Sequence, residues 1–401
     1  MKVISVVGAR PNFMKISPFV KAIENHNASG SLPEIQHILV HTGQHYDDNL
    51  SNYFFRSLGI SEPDINLEIG SGTHAEQVGQ TMIAFEKVVR EIQPDWVVVV
   101  GDVNATCACS ITAKKENIWL AHIEAGLRSH DMHMPEEINR LVTDRLSDLL
   151  LTPDTISYNN LINEGVKDDK ISFVGNIMID TLDQHREISA QLNITEILKA
   201  NHHSETRRLE GRISLSNSPG YALMTMHRPS NVDDQKILKS LTEFLMEKVA
   251  PILPIIWPMH PRSEMRLKEF GIWNKLQEAN NMILLKPIGY HEMIRLNSEA
   301  RIMLTDSGGL QEECCIFGTP CLTLRWNTER PVTLRKNGGV SVLVGNDTEK
   351  IQKELHSALE AGRSPIRPEL WDGHTAQRIL TKLIQMHDHL SSVSDKTVHN
   401  L

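Results

Sequence analysis

The chain has 401 residues, 40% hydrophobic and 23% charged, with a formal net charge of -9. That length sets two domains as the expectation, and the acidic balance argues against nonspecific nucleic-acid binding. No run of roughly eighteen apolar residues occurs, so no membrane span is expected, and the N-terminus opens on a strand pattern rather than a charged-then-apolar leader.

Continuous apolar runs fall in the first half near 2–7, 36–41, 96–101, 118–123, 148–151 and 171–174. Those of the second half fall near 221–226, 253–257, 282–285, 301–305 and 320–324. Unbroken apolar runs are the signature of strands covered on both faces, and the stretches between them, such as FVKAIENH and QTMIAFEKVVREI, carry helical period. The expectation is therefore an α/β chain of two Rossmann-like, doubly wound domains, with ligands at the carboxyl ends of the strands. The polar stretch from about 184 to 219 carries no strand pattern, and NHHSETRRLEGRISLSNSPG is its least ordered part. It places the boundary near 176–185, giving domains 1–180 and 181–372. The helical tail within 373–401 is expected to pack back on the first domain.

The first strand runs into GARPNFMK. Gly8 permits a tight turn and Pro11 suits the first helical position. Arg10 lies in the turn and Lys15 about one helical turn on. A guanidinium at a helix N-terminus opposes the dipole, which makes sense where an anion neutralises both. VVVVGDVNA places Asp102 at a strand end, where helix capping and acid–base work are both open. In AHIEAGLRSHDMHMPEEINR, Glu124 ends a buried strand, a position costly to desolvate without a partner and suited to proton transfer. Glu136 and Glu137 open the next helix, with Glu136 and Arg140 spaced for an ion pair. His130, Asp131 and His133 are too few ligands for a zinc site, and no metal is expected. The five cysteines, Cys107, Cys109, Cys314, Cys315 and Cys321, lack disulfide or zinc spacing and read as reduced thiols in a cytoplasmic protein.

In MTMHRPSNVDD, His227 and Arg228 follow the first strand of the second half, a pairing suited to phosphate contact and proton transfer. Ser230 or Asn231 are candidate caps for the next helix. His260 and Arg262 repeat the arrangement one unit later. In TDSGGLQEE, Ser307, Gly308 and Gly309 open a helix whose N–H donors suit a diphosphate, with Glu312 and Glu313 about one turn in.

Eight ordered strings, GARPNFMK, GDVNA, HIEAGLRS, MPEEINR, GNIMIDTL, MHRPSN, DSGGLQEE and TERPVT, spread over about residues 1–385. Together they resemble the non-hydrolysing UDP-N-acetylglucosamine 2-epimerases. The resemblance implies the two-domain B-type glycosyltransferase fold with the nucleotide in an interdomain cleft, and a cytoplasmic homodimer. It implies inversion at C2 of UDP-GlcNAc by elimination of UDP to 2-acetamidoglucal and re-addition, with no metal or other cofactor. It matches Arg10 and Lys15 to basic residues near the diphosphate and sugar. Asp102, Glu124 and Glu136 match acid–base carboxylates, and His227 a histidine near the phosphates. Ser307, Gly308 and Gly309 match the diphosphate turn and Glu313 the ribose acceptor. The chain departs from the common pattern at Arg228-Pro229-Ser230-Asn231 and at Val332, and only partly echoes a second substrate site at His41-Thr42-Gly43-Gln44-His45. A related UDP-HexNAc such as a diacetamido uronic acid, the hydrolysing relative, a glycosyltransferase of the same fold and a non-catalytic sensor stand as alternatives.

Overall fold

A computed structural model describes residues 1–43, 59, 62–203 and 220–398, without the side chains of Arg10 and 393–398. Gln44, His45 and the polar stretch 204–219 lie outside the described residues. The chain divides into two compact units, Met1–Thr181 with Glu369–Leu401, and Leu182–Pro368.

Among the described residues of the first unit, seven strands form one parallel sheet: β1 Lys2–Val7, β2 Gln36–His41, β3 Ile65–Asn66, β4 Trp96–Val100, β5 Trp119–Ile123, β6 Leu149–Thr152 and β7 Ile171–Phe173. Their order is β3-β2-β1-β4-β5-β6-β7. The central strand β4 is buried along its whole length, which is why its sequence, WVVVV, is apolar without alternation. Val97 and Val99 from one of its faces share a core with Ile4, Val6, Phe85 and Val89. The sequence pattern holds for every strand it identified, while β3, two residues long, escaped it.

The second unit repeats the plan with β8 Ala222–Thr225, β9 Ile255–Pro258, β10 Met282–Leu285, β11 Ile302–Thr305, β12 Cys321–Thr323 and β13 Ser341–Leu343. The order is β10-β9-β8-β11-β12-β13, again parallel. Its core joins Met224, Trp257, Leu284, Leu304 and Leu322 from the sheet to Leu238, Leu241 and Leu245 from the covering helices. The α/β fold class, two doubly wound sheets, is as the sequence implied. In each sheet the order reverses at one place, between β1 and β4 and between β8 and β11. Such switch points open a crevice at the strand carboxyl ends.

The Thr375–Val398 helix belongs to the first unit and packs on the Arg10–Ala28 helix and β6. Asp180 accepts from Thr375 N (3.1 Å) and Ala376 N (2.7 Å), capping its N-terminus. Trp371, fully buried, donates from Nε1 to Pro153 O at 3.0 Å.

Candidate functional site

At the β1/β4 switch point the turn after β1 is built by Asn12. Its buried Oδ1 accepts from Ala9 N (2.9 Å), and its Nδ2 donates to Val100 O at the end of β4 (2.9 Å). These two hydrogen bonds fix the start of the Arg10–Ala28 helix, in which Lys15 stands one turn on. The Arg10 side chain lies outside the described residues.

Lys15 reaches the carboxyl end of β5, where its Nζ lies 2.5 Å from Glu124 Oε2. Both groups are buried, so the lysine supplies the partner that Glu124 needs in a desolvated position. The other carboxylate oxygen, Oε1, is buried and has no hydrogen-bond partner among the described residues. Glu124 also sits at φ +71°, a left-handed conformation that costs a non-glycine residue roughly 1–2 kcal/mol. Such strain persists where surrounding structure over-determines it, as at working sites. Gly101 leaves room for the pair: at φ +69°, a Cβ there would stand 3.1 Å from Lys15 Nζ and 3.3 Å from Asn12 Nδ2.

Asp102 follows at once, about a quarter exposed. Its carboxylate pairs with Arg140 Nη1, and its carbonyl accepts from Asn139 Nδ2 at 2.9 Å. Both partners come from the Pro135–Leu146 helix. Arg140 is fully buried and also binds Glu137, with Nη2 2.5 Å from Oε2. Glu137 accepts in addition from Ser129 N (3.0 Å) and His130 N (2.9 Å). Burial alone would raise its pKa, but those N–H donors and Arg140 outweigh burial and hold it below the usual carboxylate range. Glu136, half-buried in the first turn of this helix, precedes Asn139 and Arg140 by three and four residues and so shares the helix face that meets Asp102. The structure thus gathers Lys15, Asp102 and Glu124 at one set of strand ends, with Glu136 on the helix that braces them. His133 lies beside Asp131 (3.2 Å) on the exposed loop before that helix.

At the β8/β11 switch point Asp306 is the organising group. Its carboxylate accepts from His227 N (2.9 Å), Arg228 N (2.8 Å) and Asn231 Nδ2 (3.1 Å), and His227 Nδ1 lies 3.1 Å from Oδ1. Burial would raise the Asp306 pKa, but His227 and these donors keep it low. A carboxylate at Nδ1 fixes the imidazole tautomer and leaves Nε2 for a ligand. His227 is 35% exposed and stacks on His260, ring centroids 5.1 Å apart. His260 caps the Pro261–Glu269 helix through Arg262 N (3.1 Å), and Arg262 pairs with Asp233. The expected capping by Ser230 or Asn231 does not occur: Asp234 caps the Gln235–Phe244 helix, and Asn231 is drawn inward by Asp306 and Leu324 O.

β11 leads into the Gly308–Phe317 helix, whose N-cap Ser307 makes no side-chain cap hydrogen bond. The first-turn N–H groups thus take no bond from the Ser307 side chain, and donors of that kind at a helix N-terminus suit an anion. A Cβ on Gly308 would stand 2.5 Å from Glu329 Oε1 and 2.6 Å from Arg330 Nη1. Beneath the turn runs a buried ion network. Arg330 Nε donates to Glu312 Oε1 (2.7 Å) and its Nη1 to Glu329 (2.5 Å), while Arg325 holds Glu329 at 2.7 Å. These arginines outweigh burial and hold Glu329 well below the usual carboxylate range.

Glu313 is different. It is buried, its Oε2 has no hydrogen-bond partner among the described residues, and burial pushes its pKa up to about 8, Asn297 opposing and Glu312 adding. The Tyr290 hydroxyl, a buried atom in a half-buried residue, is raised well above its ordinary value by desolvation and by Glu313. Sequence reasoning assigned no role to Asn12, Asp306, Glu329 or Arg330, although all four lie in strings that carried the resemblance, and it gave Arg140 a different partner.

The family model described as UDP-N-acetylglucosamine 2-epimerase matches residues 27–384. The UDP-N-acetylglucosamine 2-epimerase of Methanocaldococcus jannaschii is 40% identical over 95% of this chain and 98% of its own. The UDP-2,3-diacetamido-2,3-dideoxy-D-glucuronate 2-epimerase of Pseudomonas aeruginosa is 37% identical over 90% of this chain and 92% of its own. A crystal structure of M. jannaschii UDP-GlcNAc 2-epimerase in complex with UDP-GlcNAc and UDP superposes with a TM-score of 0.82 at 38% identity, covering 96% of this chain and all of that one. The residues gathered at the two switch points stand on a fold shared along nearly the whole chain, and the chain belongs to the UDP-N-acetylglucosamine 2-epimerase family.

Proposed function

We propose that the chain is an isomerase that interconverts UDP-GlcNAc and UDP-ManNAc. In this reading UDP is eliminated to leave 2-acetamidoglucal and then re-added with C2 inverted. The second unit holds the nucleotide: first-turn N–H groups at Ser307, Gly308 and Gly309 take the diphosphate, Glu313 the ribose hydroxyls, and His227 the phosphates through Nε2. Arg10 and Lys15 add positive charge near the diphosphate and sugar, which stabilises the departing anion. Asp102, Glu124 and Glu136 move the C2 proton, removing it on one face and returning it on the other. Because coupled carboxylates share their protons, the set rather than one member carries the acid–base task.

The observation that carries this reading is Glu124, with one oxygen on Lys15, the other buried and unpartnered, and a strained backbone. A structural carboxylate needs neither the strain nor the empty oxygen. The scheme calls for no metal or nicotinamide, and we place the enzyme in the cytoplasm as a homodimer. Its five free, buried cysteines suit a reducing compartment. A second reading keeps the reaction and changes the sugar: the diacetamido uronate epimerase is nearly as similar as the UDP-GlcNAc enzyme.

The test is a pair of proteins. The wild type incorporates solvent deuterium at C2 of UDP-GlcNAc; Asp102→Asn loses that exchange by about 10²–10⁴-fold and still binds UDP. Full activity in Asp102→Asn would remove that residue from the acid–base set.

A further inference from the structure

Below the first-unit carboxylates lies a second polar group that the reaction scheme leaves unused. His122, the next-to-last residue of β5, is fully buried. Its Nδ1 lies 2.6 Å from Asp144 Oδ1 and its Nε2 2.9 Å from the carbonyl oxygen of Gly101. The other Asp144 oxygen, Oδ2, accepts from Gly126 N at 3.0 Å and from Arg128 Nη1 at 2.7 Å. Arg128 is anchored in turn by Glu164, with Nε and Nη2 each 2.7 Å from its carboxylate oxygens.

Two of these bonds end beside the candidate catalytic carboxylates. The Gly101 carbonyl lies in the same rigid peptide plane as the Asp102 N–H, so a donor on that oxygen fixes the direction in which Asp102 leaves the strand. Gly126 N lies two residues beyond Glu124, on the far side of its strained φ. One imidazole and one carboxylate therefore tie together the turn before Asp102 and the turn after Glu124. A buried polar group without such bonds is costly, whereas this one has both ring nitrogens and both carboxylate oxygens satisfied.

We propose that His122 and Asp144 are positioning residues of the epimerase reaction, a buried strut that holds the Asp102 and Glu124 carboxylates at their working separation. The proposal rests on the acid–base reading of those carboxylates given above. The strut touches no substrate. It acts through the Gly101–Asp102 peptide and through the turn that keeps Glu124 in its left-handed conformation. Geometry set this way governs the chemical step more than ligand binding, since about 1 Å of misplacement costs on the order of 10²-fold in rate.

Three variants test the strut. His122→Phe fills the ring's volume and removes both bonds. Asp144→Ala removes the carboxylate. Asp144→Asn is the conservative rescue: its remaining oxygen still accepts from Gly126 and Arg128, and its amide N–H donates to His122 Nδ1, so the ring still donates from Nε2 to Gly101. Wild-type turnover and C2 deuterium exchange are measured first, and their absence would strike the epimerase reading rather than the strut. With wild type active, the expected result is a kcat and C2-exchange loss of about 10²-fold in His122→Phe and Asp144→Ala. KM and calorimetric UDP affinity stay unchanged, and Asp144→Asn restores most of the rate. Wild-type kcat in folded His122→Phe, or losses confined to KM, would overturn the proposal. So would failure of all three variants to fold, Asp144→Asn included, which would make the dyad structural only.

Discussion

Glu124 and Glu313 are both buried carboxylates with an unpartnered oxygen, and their surroundings set them apart. Glu124 has Lys15 at 2.5 Å, whereas the acid beside Glu313, Glu312, carries its own arginine in Arg330. Glu313 is thus left to burial, which raises its pKa from 4.5 to about 8. A raised carboxylate pKa means that the folded chain holds a proton that the unfolded chain releases. This residue's contribution to stability is therefore fullest below 4.5 and is lost as pH rises through about 8. Glu313→Gln should remove that loss, and thermal melts at pH 5.5 and 8.5 should differ less for the variant than for wild type. Ribose hydroxyls donating to Glu313 favour its ionised form, so UDP binding at neutral pH should release a proton. Calorimetry in buffers of different ionisation enthalpy reads that release, and Glu313→Gln should abolish it. Equal proton release in wild type and variant would place the ribose elsewhere.

At the scale of elements, the Pro135–Leu146 helix is the brace of the first unit: Glu137, Asn139, Arg140 and Asp144 all point inward to the strand ends. The Thr375–Val398 helix is held by a single carboxylate, Asp180, on two of its first N–H groups. Burial raises the Asp180 pKa, only partly offset by those two donors. Asp180→Ala should cost ~1–2 kcal/mol, as loss of a cap does, read as a lower urea midpoint at unchanged m-value. An unchanged midpoint would show that Trp371 and the apolar face of the helix hold it unaided. The sheets were legible in the sequence because strands covered on both faces are written as unbroken apolar runs. The two strands that were not, β3 and β13, are short and only partly buried, so neither is written as an unbroken apolar run. The placement of Lys15, Asp102, Glu124, His227 and the Ser307 turn was legible because strand ends and helix starts announce themselves. Arg140 and Asp144 were not, because PEEINRLVTDRL reads as an ordinary charged helix. A signal was present in the spacing: 137, 140 and 144 fall at i, i+3 and i+7, the positions an amphipathic helix turns toward its core. Arg140 and Asp144 are matched there by partners 16 to 38 residues away, Asp102 for the one and His122, Gly126 and Arg128 for the other, and no local pattern shows them.

The whole molecule uses one plan twice. Each unit is a parallel sheet with its order reversed once, and each reversal gathers polar side chains at the strand ends. The two gatherings differ in chemistry. The first is a set of carboxylates braced by buried cations, suited to moving a proton. The second is a ring of N–H donors and a tautomer-fixed histidine over a neutralised ion network, suited to holding a nucleoside diphosphate. The central claim is that these residues invert C2 of a UDP-linked sugar through reversible loss of UDP, and proton NMR of UDP-GlcNAc with the wild-type protein in deuterated water, without added metal or nicotinamide, tests it most directly. The account predicts that UDP-ManNAc signals grow to an equilibrium mixture while the C2 proton of both sugars is replaced by deuterium, without net accumulation of free UDP and free sugar. UDP-GlcNAc that binds yet keeps its C2 proton, or that is converted to free sugar with one equivalent of UDP, would contradict it.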